Sequence, residues 1–125
     1  MIGGAPVGVD AFRHAAAAKA FDKSTKRVNQ MMTLAQVEPH VTMRLLGLCA
    51  NRSPDYFMRV TPPSITRQHA AAFDLHMVEA RTRVLTPEES PPRIDDNAIL
   101  ARADRVATLP FKCGGLGHIK AEDRA

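Results

Sequence analysis

Two long stretches whose apolar residues recur at the helical period constrain the fold of this chain most. In residues 65–85 the repeat is four, three and four, and in residues 11–35 it marks one side of a longer segment. Such spacing places side chains on one face of a helix, so we predict two long amphipathic helices. Their apolar faces are formed by Phe12, Ala16, Ala20, Val28, Met31 and Ala35 in the first, and by Phe73, Met77, Ala80 and Val84 in the second.

Prolines and polar residues indicate where the helices begin and end. Asp10 is predicted to N-cap the first long helix, and Ser64 or Thr66 the second. Ser53-Pro54 has the pattern of an N-cap followed by a first-turn proline, and the brief helix that it opens must stop before Pro62-Pro63.

The segments between and after the long helices are shorter. After Pro39, residues 41–50 are apolar almost all round, which predicts a short central helix buried on most sides. Residues 86–92 form a polar, proline-rich connection that we expect to be mobile, and residues 94–107 return to the helical period.

Length and composition set the fold class. A chain of 125 residues corresponds to one domain, and its aromatic content of 5% favours alanine-rich helices over a β-sandwich. We therefore predict an all-α fold, an irregular bundle of about five helices with a glycine-rich C-terminal turn.

The glycine-rich segment after Leu109-Pro110 contains Gly114, Gly115 and Gly117. A phosphate-binding loop needs a Gly-Lys-Ser/Thr ending, and a dinucleotide fingerprint needs a preceding buried strand and a later acidic residue. The sequence has neither, so the glycines predict a tight turn.

Side chains that could carry chemistry do not assemble into a site. Cys49 and Cys113 lack metal-ligand spacing and are predicted to be small buried hydrophobes in a reducing compartment. Asp95-Asp96 lacks the flanking strands of a polymerase metal site and is predicted to begin a helix. We expect no catalytic residue, no metal site and no cofactor. The histidines are scattered along the chain: His14, His40, His69, His76 and His118.

Basic residues exceed acidic ones by 17 to 13, and four of them recur at helical spacing in the first long helix. Two interpretations stay open: a solvated helix face, or a face that contacts nucleic-acid phosphates. The four residues are Lys19, Lys23, Lys26 and Arg27.

Targeting features are not recognised in this sequence. The residues after Met1 lack the charged and apolar segments of a signal peptide, and Ile2 replaces the glycine that myristoylation requires. No apolar run approaches the ~18 residues of a membrane span. We expect an intracellular protein without membrane contact, its nuclear or cytoplasmic location left open.

Four groups of residues, in chain order, resemble the region downstream of the catalytic palm in reverse transcriptases of non-LTR retrotransposons. Residues 3–8, with Phe12 after them, look like the element that closes the palm. The other matches follow the family's "LLRxC...xYLLRTxPP", "A-x-x-FD" and "LPxxxGGLG" patterns at residues 45–49 with 56–63, 71–74, and 109–117.

The resemblance implies a division into a residual palm-end loop at 1–10, a helical thumb-like domain at 11–108, and a turn and tail at 109–125. It also implies that certain matched residues are structural: Arg59, Pro62, Pro63, Phe73, Asp74, Leu109, Pro110, Gly114, Gly115 and Gly117.

The palm carboxylates of that family, with its Tyr/Phe-x-Asp-Asp motif, are absent from this sequence. Without them there is no two-metal site. The resemblance thus implies a non-catalytic, thumb-like fragment. RNA-directed DNA polymerase activity and its Mg²⁺ would belong to the palm of the parent enzyme.

A thumb domain lays a helix along the template-primer duplex, so the resemblance favours contact between the basic residues of the first helix and RNA or DNA phosphates. Such binding is weak and independent of sequence. Arg59 has two interpretations: it braces the turn before Pro62-Pro63, which we favour, or it contacts nucleic acid.

The competing function is an all-α protein-interaction module with no nucleic-acid role. Apolar residues that packed on a palm would then support self-association, around Ile2, Pro6, Val7 and Phe12. A small free-standing enzyme is a third class, but no catalytic constellation supports it.

Overall fold

The computed structural model describes residues 3–86 and 96–124, which form helices and no β-strand, and this confirms the all-α prediction. Residues 87–92 of the connection predicted at 86–92 lie outside the described residues, as do Ile2, Ile94 and Asp95. In chain order the elements are α1 (Asp10–Met32), α2 (Pro39–Leu45), a π-helical turn (Leu46–Ala50), α3 (Asp55–Val60), α4 (Pro63–Leu85), α5 (Asp96–Thr108), a 3₁₀ turn (Phe111–Cys113) and α6 (Ala121–Arg124).

The two long helices α1 and α4 make the most extensive contact between helices in the described part of the chain. They run in the same direction. Partner positions rise together along both helices, which is the order that a parallel pair produces. The contacts are His14 with His69 (ring centroids 6.4 Å apart), Phe21 with Phe73 (6.2 Å), and Asn29 Oδ1 with His76 Nε2 (3.0 Å).

The core lies between this pair and the shorter helices. Phe73 and Met77 are almost fully buried, and burying a side chain of this size contributes about 1.5–3 kcal/mol. The seam predicted on α4 is therefore confirmed at Phe73, Met77 and Ala80. Among the described residues, the core cluster consists of Ala17, Phe21, Val28, Leu46, Ala50, Phe57, Met58, Ile65, Ala70, Phe73, Met77, Ala80 and Ala121.

The buried face of α1 differs from the predicted one. Phe12 was predicted to face the core, but its side chain is 44% exposed. The buried side chains are Ala17, Phe21, Ser24 and Val28, with Ala16, Ala20 and Met31 partly buried beside them. The prediction was wrong at Phe12 because α1 is rich in alanine, so several faces show similar apolar spacing.

The predicted side-chain caps are also wrong. Asp10 is the first residue of α1, and Val9 occupies the N-cap position without a side-chain hydrogen bond. Helix α4 begins at Pro63 with Pro62 as its N-cap, so Ser64 and Thr66 lie inside the helix. Proline suits the first turn because its missing N–H leaves no orphan donor there.

The same shift occurs at α3. This helix begins at Asp55, with Pro54 as its N-cap, so Ser53 caps nothing. Instead, the Ser53 hydroxyl lies 2.9 Å from Ser24 Oγ and accepts a hydrogen bond from Arg27 Nη1 at 3.0 Å. Ser53 thus ties the start of α3 to α1.

The segment predicted as one buried central helix is divided and partly exposed. Helix α2 ends at Leu45, and a π-helical turn follows in which Asn51 N–H bonds to Leu46 C=O at 2.8 Å. Leu46 and Ala50 are buried, but Leu48 is 62% exposed. The wide turn therefore presents one apolar side chain to solvent.

The C-terminal segment is held against the helices. Asp74 on α4 caps α6 by accepting hydrogen bonds from the backbone N–H groups of Ala121 (2.7 Å) and Glu122 (2.9 Å). Arg124 lies 3.0 Å from an Asp55 carboxylate oxygen and donates to Asn51 C=O at 2.5 Å. The residues expected to form a tail are thus part of the packed structure.

Backbone hydrogen bonds close the glycine-rich segment onto the residues before it. Gly117 N–H donates to Leu109 C=O at 2.9 Å, and Gly115 N–H donates to Pro110 C=O at 3.1 Å. A Cβ on Gly115 would lie well inside van der Waals contact with the Leu109 carbonyl. Glycine is therefore required at position 115 by the close approach of the backbone.

The cysteine prediction is wrong in one respect. Cys49 and Cys113 are free thiols, as expected, but both are exposed and not buried. Cys49 follows Leu48 on the outer side of the π-helical turn, and Cys113 ends the 3₁₀ turn. Neither segment offers its outer side chain a core position.

Candidate nucleic-acid interface and the cleft beside the C-terminal turn

The three lysines of the predicted stripe lie on the outer side of α1, and Arg27 lies at its flank. At about 100° per residue, the lysines point away from Ala17, Phe21 and Val28, which face the core, whereas Arg27 lies about 90° from these core residues. All four are exposed, and they form a surface that we call the α1 basic face: Lys19, Lys23, Lys26 and Arg27.

Two members of the α1 basic face have partners. The Lys26 ammonium lies 2.8 Å from the Asp22 carboxylate, and the hydrogen bond and charge of Asp22 raise the pKa of Lys26. Arg27 is held by the Ser53 hydroxyl. Among the described residues, no acidic group lies within ion-pair distance of Lys19 or Lys23. These two lysines are therefore the most available cations of the face.

An apolar surface lies at the N-terminal end of α1. Val7 is 55% exposed and Phe12 is 44% exposed, whereas Pro6 is buried. The backbone just before them packs on α3, because the Tyr56 hydroxyl donates to Gly3 C=O. The exposed surface predicted around Val7 and Phe12 is present, and Pro6 does not contribute to it.

Several of the residues matched in the family resemblance contribute to the fold. Phe73 lies in the core, and Asp74 caps α6. Pro62 and Pro63 begin α4, and the residue before them, Thr61, is extended, as proline requires of its predecessor.

Arg59 does not make the bracing contact that we favoured. Its side chain is exposed near the end of α3, and within the described ranges it forms no hydrogen bond or ion pair. The turn before Pro62 is set by the prolines themselves.

Three charged or titratable side chains that are distant in sequence meet in a buried cluster. Arg81 on α4 forms an ion pair with Asp104 on α5, and its Nη1 lies 3.4 Å from His118 Nδ1. Burial, then the Arg81 charge, lowers the pKa of His118 to about 4, with Asp104 opposing them. His118 is thus neutral at pH 7 and accepts from Arg81 through Nδ1.

The other ring nitrogen of His118 faces the π-helical turn. A Cβ on Gly47 would overlap the His118 ring, so glycine is needed at position 47 to make room for it. The histidine joins the C-terminal segment to α4, α5 and the π-helical turn. Spacing in the sequence could not reveal this cluster, because Arg81 and His118 are 37 residues apart.

A surface cleft of about 540 Å³ lies above this cluster, and we call it the Arg44–Arg52 cleft. Its floor contains His118 with the glycines on either side, and Leu48 and Leu116 form its apolar rim, the latter 41% exposed. The sequence interpretation did not single out this site. It is lined by Met43, Arg44, Gly47, Leu48, Arg52, Leu116, Gly117 and His118.

The remaining histidines are distributed over α1, α2 and α4. His69 stacks on Phe21 near His14, and burial together with the His14 charge lowers the pKa of His69. No group of three potential metal ligands occurs within residues 3–86 and 96–124.

In the ranges 3–86 and 96–124, none of the helices combines the length and apolar character needed to cross a membrane.

Comparison of the chain with known protein families, curated protein sequences and solved structures found no match. The resemblance to retroelement reverse transcriptases therefore rests on the ordered motifs in the sequence.

Proposed function

We propose that this chain is the thumb-like, non-catalytic part of a retroelement reverse transcriptase and binds nucleic acid weakly through phosphates, inside the cell. The observation that carries the proposal is the α1 basic face, where Lys19 and Lys23 are exposed and free of ion pairs to described residues. The ordered motif matches support the choice of family. RNA-directed DNA polymerase activity is assigned to the parent enzyme and its palm.

The geometry of the face favours phosphate contact over base recognition. Lysine ammonium groups on a rigid helix reach the backbone of a duplex as point charges, and such contacts carry no sequence information. The core side of α1 is fixed by Phe21 and Val28, so the lysines project from a firmly packed element.

The proposal is tested by titrating a fluorescein-labelled RNA–DNA hybrid of about 20 base pairs with the full chain at several salt concentrations. We expect Kd values on the order of 10⁻⁴ to 10⁻⁶ M that weaken with salt. Lys19→Glu/Lys23→Glu should lower affinity about tenfold or more and reduce the salt slope by about 1 per lysine.

The matched control is Lys112→Glu/Lys120→Glu, two exposed lysines in the C-terminal segment. It produces the same change in net charge at a different place. Equal losses in both double variants, or an affinity that ignores salt, would contradict a role for the α1 basic face. Template-dependent primer extension by the isolated chain would refute the non-catalytic assignment.

The second candidate is a protein-interaction module without a nucleic-acid role. It is favoured by the exposed apolar side chains Val7 and Phe12, which suit self-association. Sedimentation at two protein concentrations tests it: we expect concentration-dependent dimerisation that Phe12→Ser abolishes. A strict monomer that binds the hybrid duplex leaves only the first candidate.

A further inference from the structure

The Arg44–Arg52 cleft combines an apolar interior with a rim of one charge. The charged side chains that line it are the two arginines after which it is named, and no acidic residue lines it. Arg44 makes no ion pair within the described ranges, and Arg52 lies 3.8 Å from Asp55, outside the cleft. Arg44 is therefore available to a partner, and Arg52 is held only by this longer contact with a carboxylate that also pairs with Arg124 at 3.0 Å.

The apolar part of the cleft is aliphatic. Met43, Leu48 and Leu116 supply its apolar side chains, and none of its lining residues is Phe, Tyr or Trp. Single-stranded nucleic acids are held by aromatic side chains on which the bases stack. The cleft lacks those surfaces and offers sites for aliphatic side chains instead.

The apolar side chains at the rim of the cleft are in part exposed to solvent. Pockets for small ligands bury most of the ligand in a concave site. Here Leu48 is 62% exposed at the π-helical turn, and Leu116, which also lines the cleft, is 41% exposed. A partner that covers these side chains must extend beyond the cleft, as a peptide segment does.

We propose that the Arg44–Arg52 cleft docks an acidic amphipathic segment of a partner protein. Aliphatic side chains of the segment enter between Leu48 and Leu116, and its carboxylates pair with Arg44 and Arg52. Arginine suits this role because its guanidinium binds a carboxylate in a bidentate manner. The proposal is independent of nucleic-acid binding, which involves a different helix.

The cleft is preorganised by contacts deeper in the structure. Gly47 and His118 interlock beneath it, and Arg81 with Asp104 holds the histidine. The two sides of the cleft, the π-helical turn and the C-terminal turn, are thereby fixed relative to each other. Such preorganisation lowers the entropic cost of binding.

The test uses fluorescence anisotropy with the full chain and two synthetic helical peptides of about five turns, roughly 18 residues. One has Leu on its apolar face and Glu on its polar face; in the other, each Glu is replaced by Lys. We expect the Glu peptide to bind at least about tenfold more tightly than the Lys peptide, a difference of about 1.4 kcal/mol.

Two variants with matched controls locate the binding. Arg44→Glu/Arg52→Glu and Leu48→Asp should each weaken the Glu peptide about tenfold. Arg59→Glu/Arg67→Glu, two exposed arginines of α3 and α4, and Leu75→Asp, an exposed leucine of α4, should change its affinity less than about twofold. Circular dichroism of each variant confirms that the helices are intact.

Several outcomes would overturn the proposal. Equal binding of the two peptides would remove the electrostatic argument, and equal losses in cleft and control variants would place binding elsewhere. Absence of binding of the Glu peptide at about 1 mM would show that the cleft is not a docking site for such segments. If single-stranded RNA binds and loses affinity in the Arg44→Glu/Arg52→Glu variant while the Glu peptide does not bind, the cleft serves nucleic acid and the proposal is wrong.

Discussion

At the scale of single residues, backbone approach makes Gly115 more constrained than its neighbours in the C-terminal turn. Gly114 has a φ of 78°, a conformation that disfavours other residues, but open space surrounds it. Gly115 has an ordinary φ and is limited by the Leu109 carbonyl. Glycine is therefore favoured at the two positions for different physical reasons.

We predict that Gly115→Ala destabilises the protein more than Gly114→Ala does. The first forces the turn away from Leu109, at a cost of about 2 kcal/mol or more. The second costs about 1 kcal/mol through its backbone conformation. Urea unfolding of both variants measures the difference, and a larger loss for Gly114→Ala would contradict the close-approach explanation.

Residue positions were predictable only where spacing gives a clear contrast. Phe73, Met77 and Ala80 were identified as core residues because their spacing of four and three places them on one face of α4. Phe12 was misplaced because neighbouring alanines make the faces of α1 similar. The Arg81 and His118 contact was not predictable, since the tertiary fold brings together residues that have no local pattern.

At the scale of helices, the side chain that caps α6 comes from a residue distant in sequence, whereas α1 to α4 have no local side-chain cap. The N-cap positions of α1 to α4 make no side-chain capping bond. By contrast, α6 is only four residues long and is capped by Asp74 from another helix. The sequence therefore predicted which segments form helices, but it did not predict which residues cap them.

Removing this distant cap should detach α6. Asp74→Ala leaves the N–H groups of Ala121 and Glu122 without their acceptor, and we expect a loss of about 1–2 kcal/mol in the free energy of unfolding. Asp22→Ala on α1, which removes only an exposed ion pair with Lys26, should reduce the free energy of unfolding less than Asp74→Ala does. Hydrogen exchange at Ala121 and Glu122 should accelerate in the Asp74 variant alone.

At the scale of the whole molecule, His118 makes stability depend on pH. Its folded-state pKa of about 4 lies below the ordinary value of 6.5, so the unfolded chain binds the proton more readily. The stabilisation is complete above pH 6.5 and is lost as the pH falls towards 4. The groups that face His118 are Arg81 and Asp104, with Arg44 and Arg52 along the cleft.

We predict that wild-type stability falls between pH 7.5 and 4 by on the order of 3 kcal/mol more than that of His118→Asn, which has no proton to take up. Urea unfolding at several pH values measures both dependences. The difference between the two curves isolates His118 from the other titrating groups. Parallel curves would show that its folded-state pKa is not depressed.

The overall class and the outer position of the α1 basic face followed from helical periodicity, which is a local property. The arrangement of the helices did not, because it depends on which faces meet. Likewise, the Arg44–Arg52 cleft exists only where the π-helical turn approaches the C-terminal turn, a contact that local spacing does not encode.

The parallel pairing of α1 with α4 has a consequence for how the chain folds. His14 and His69, like Phe21 and Phe73, are more than 50 residues apart, so the main helix pair closes a long loop. Closing a loop costs conformational entropy before the contacts that stabilise it can form. Folding therefore slows as contacting residues become more distant in sequence. We therefore expect slower folding than in helical bundles whose sequential neighbours pair.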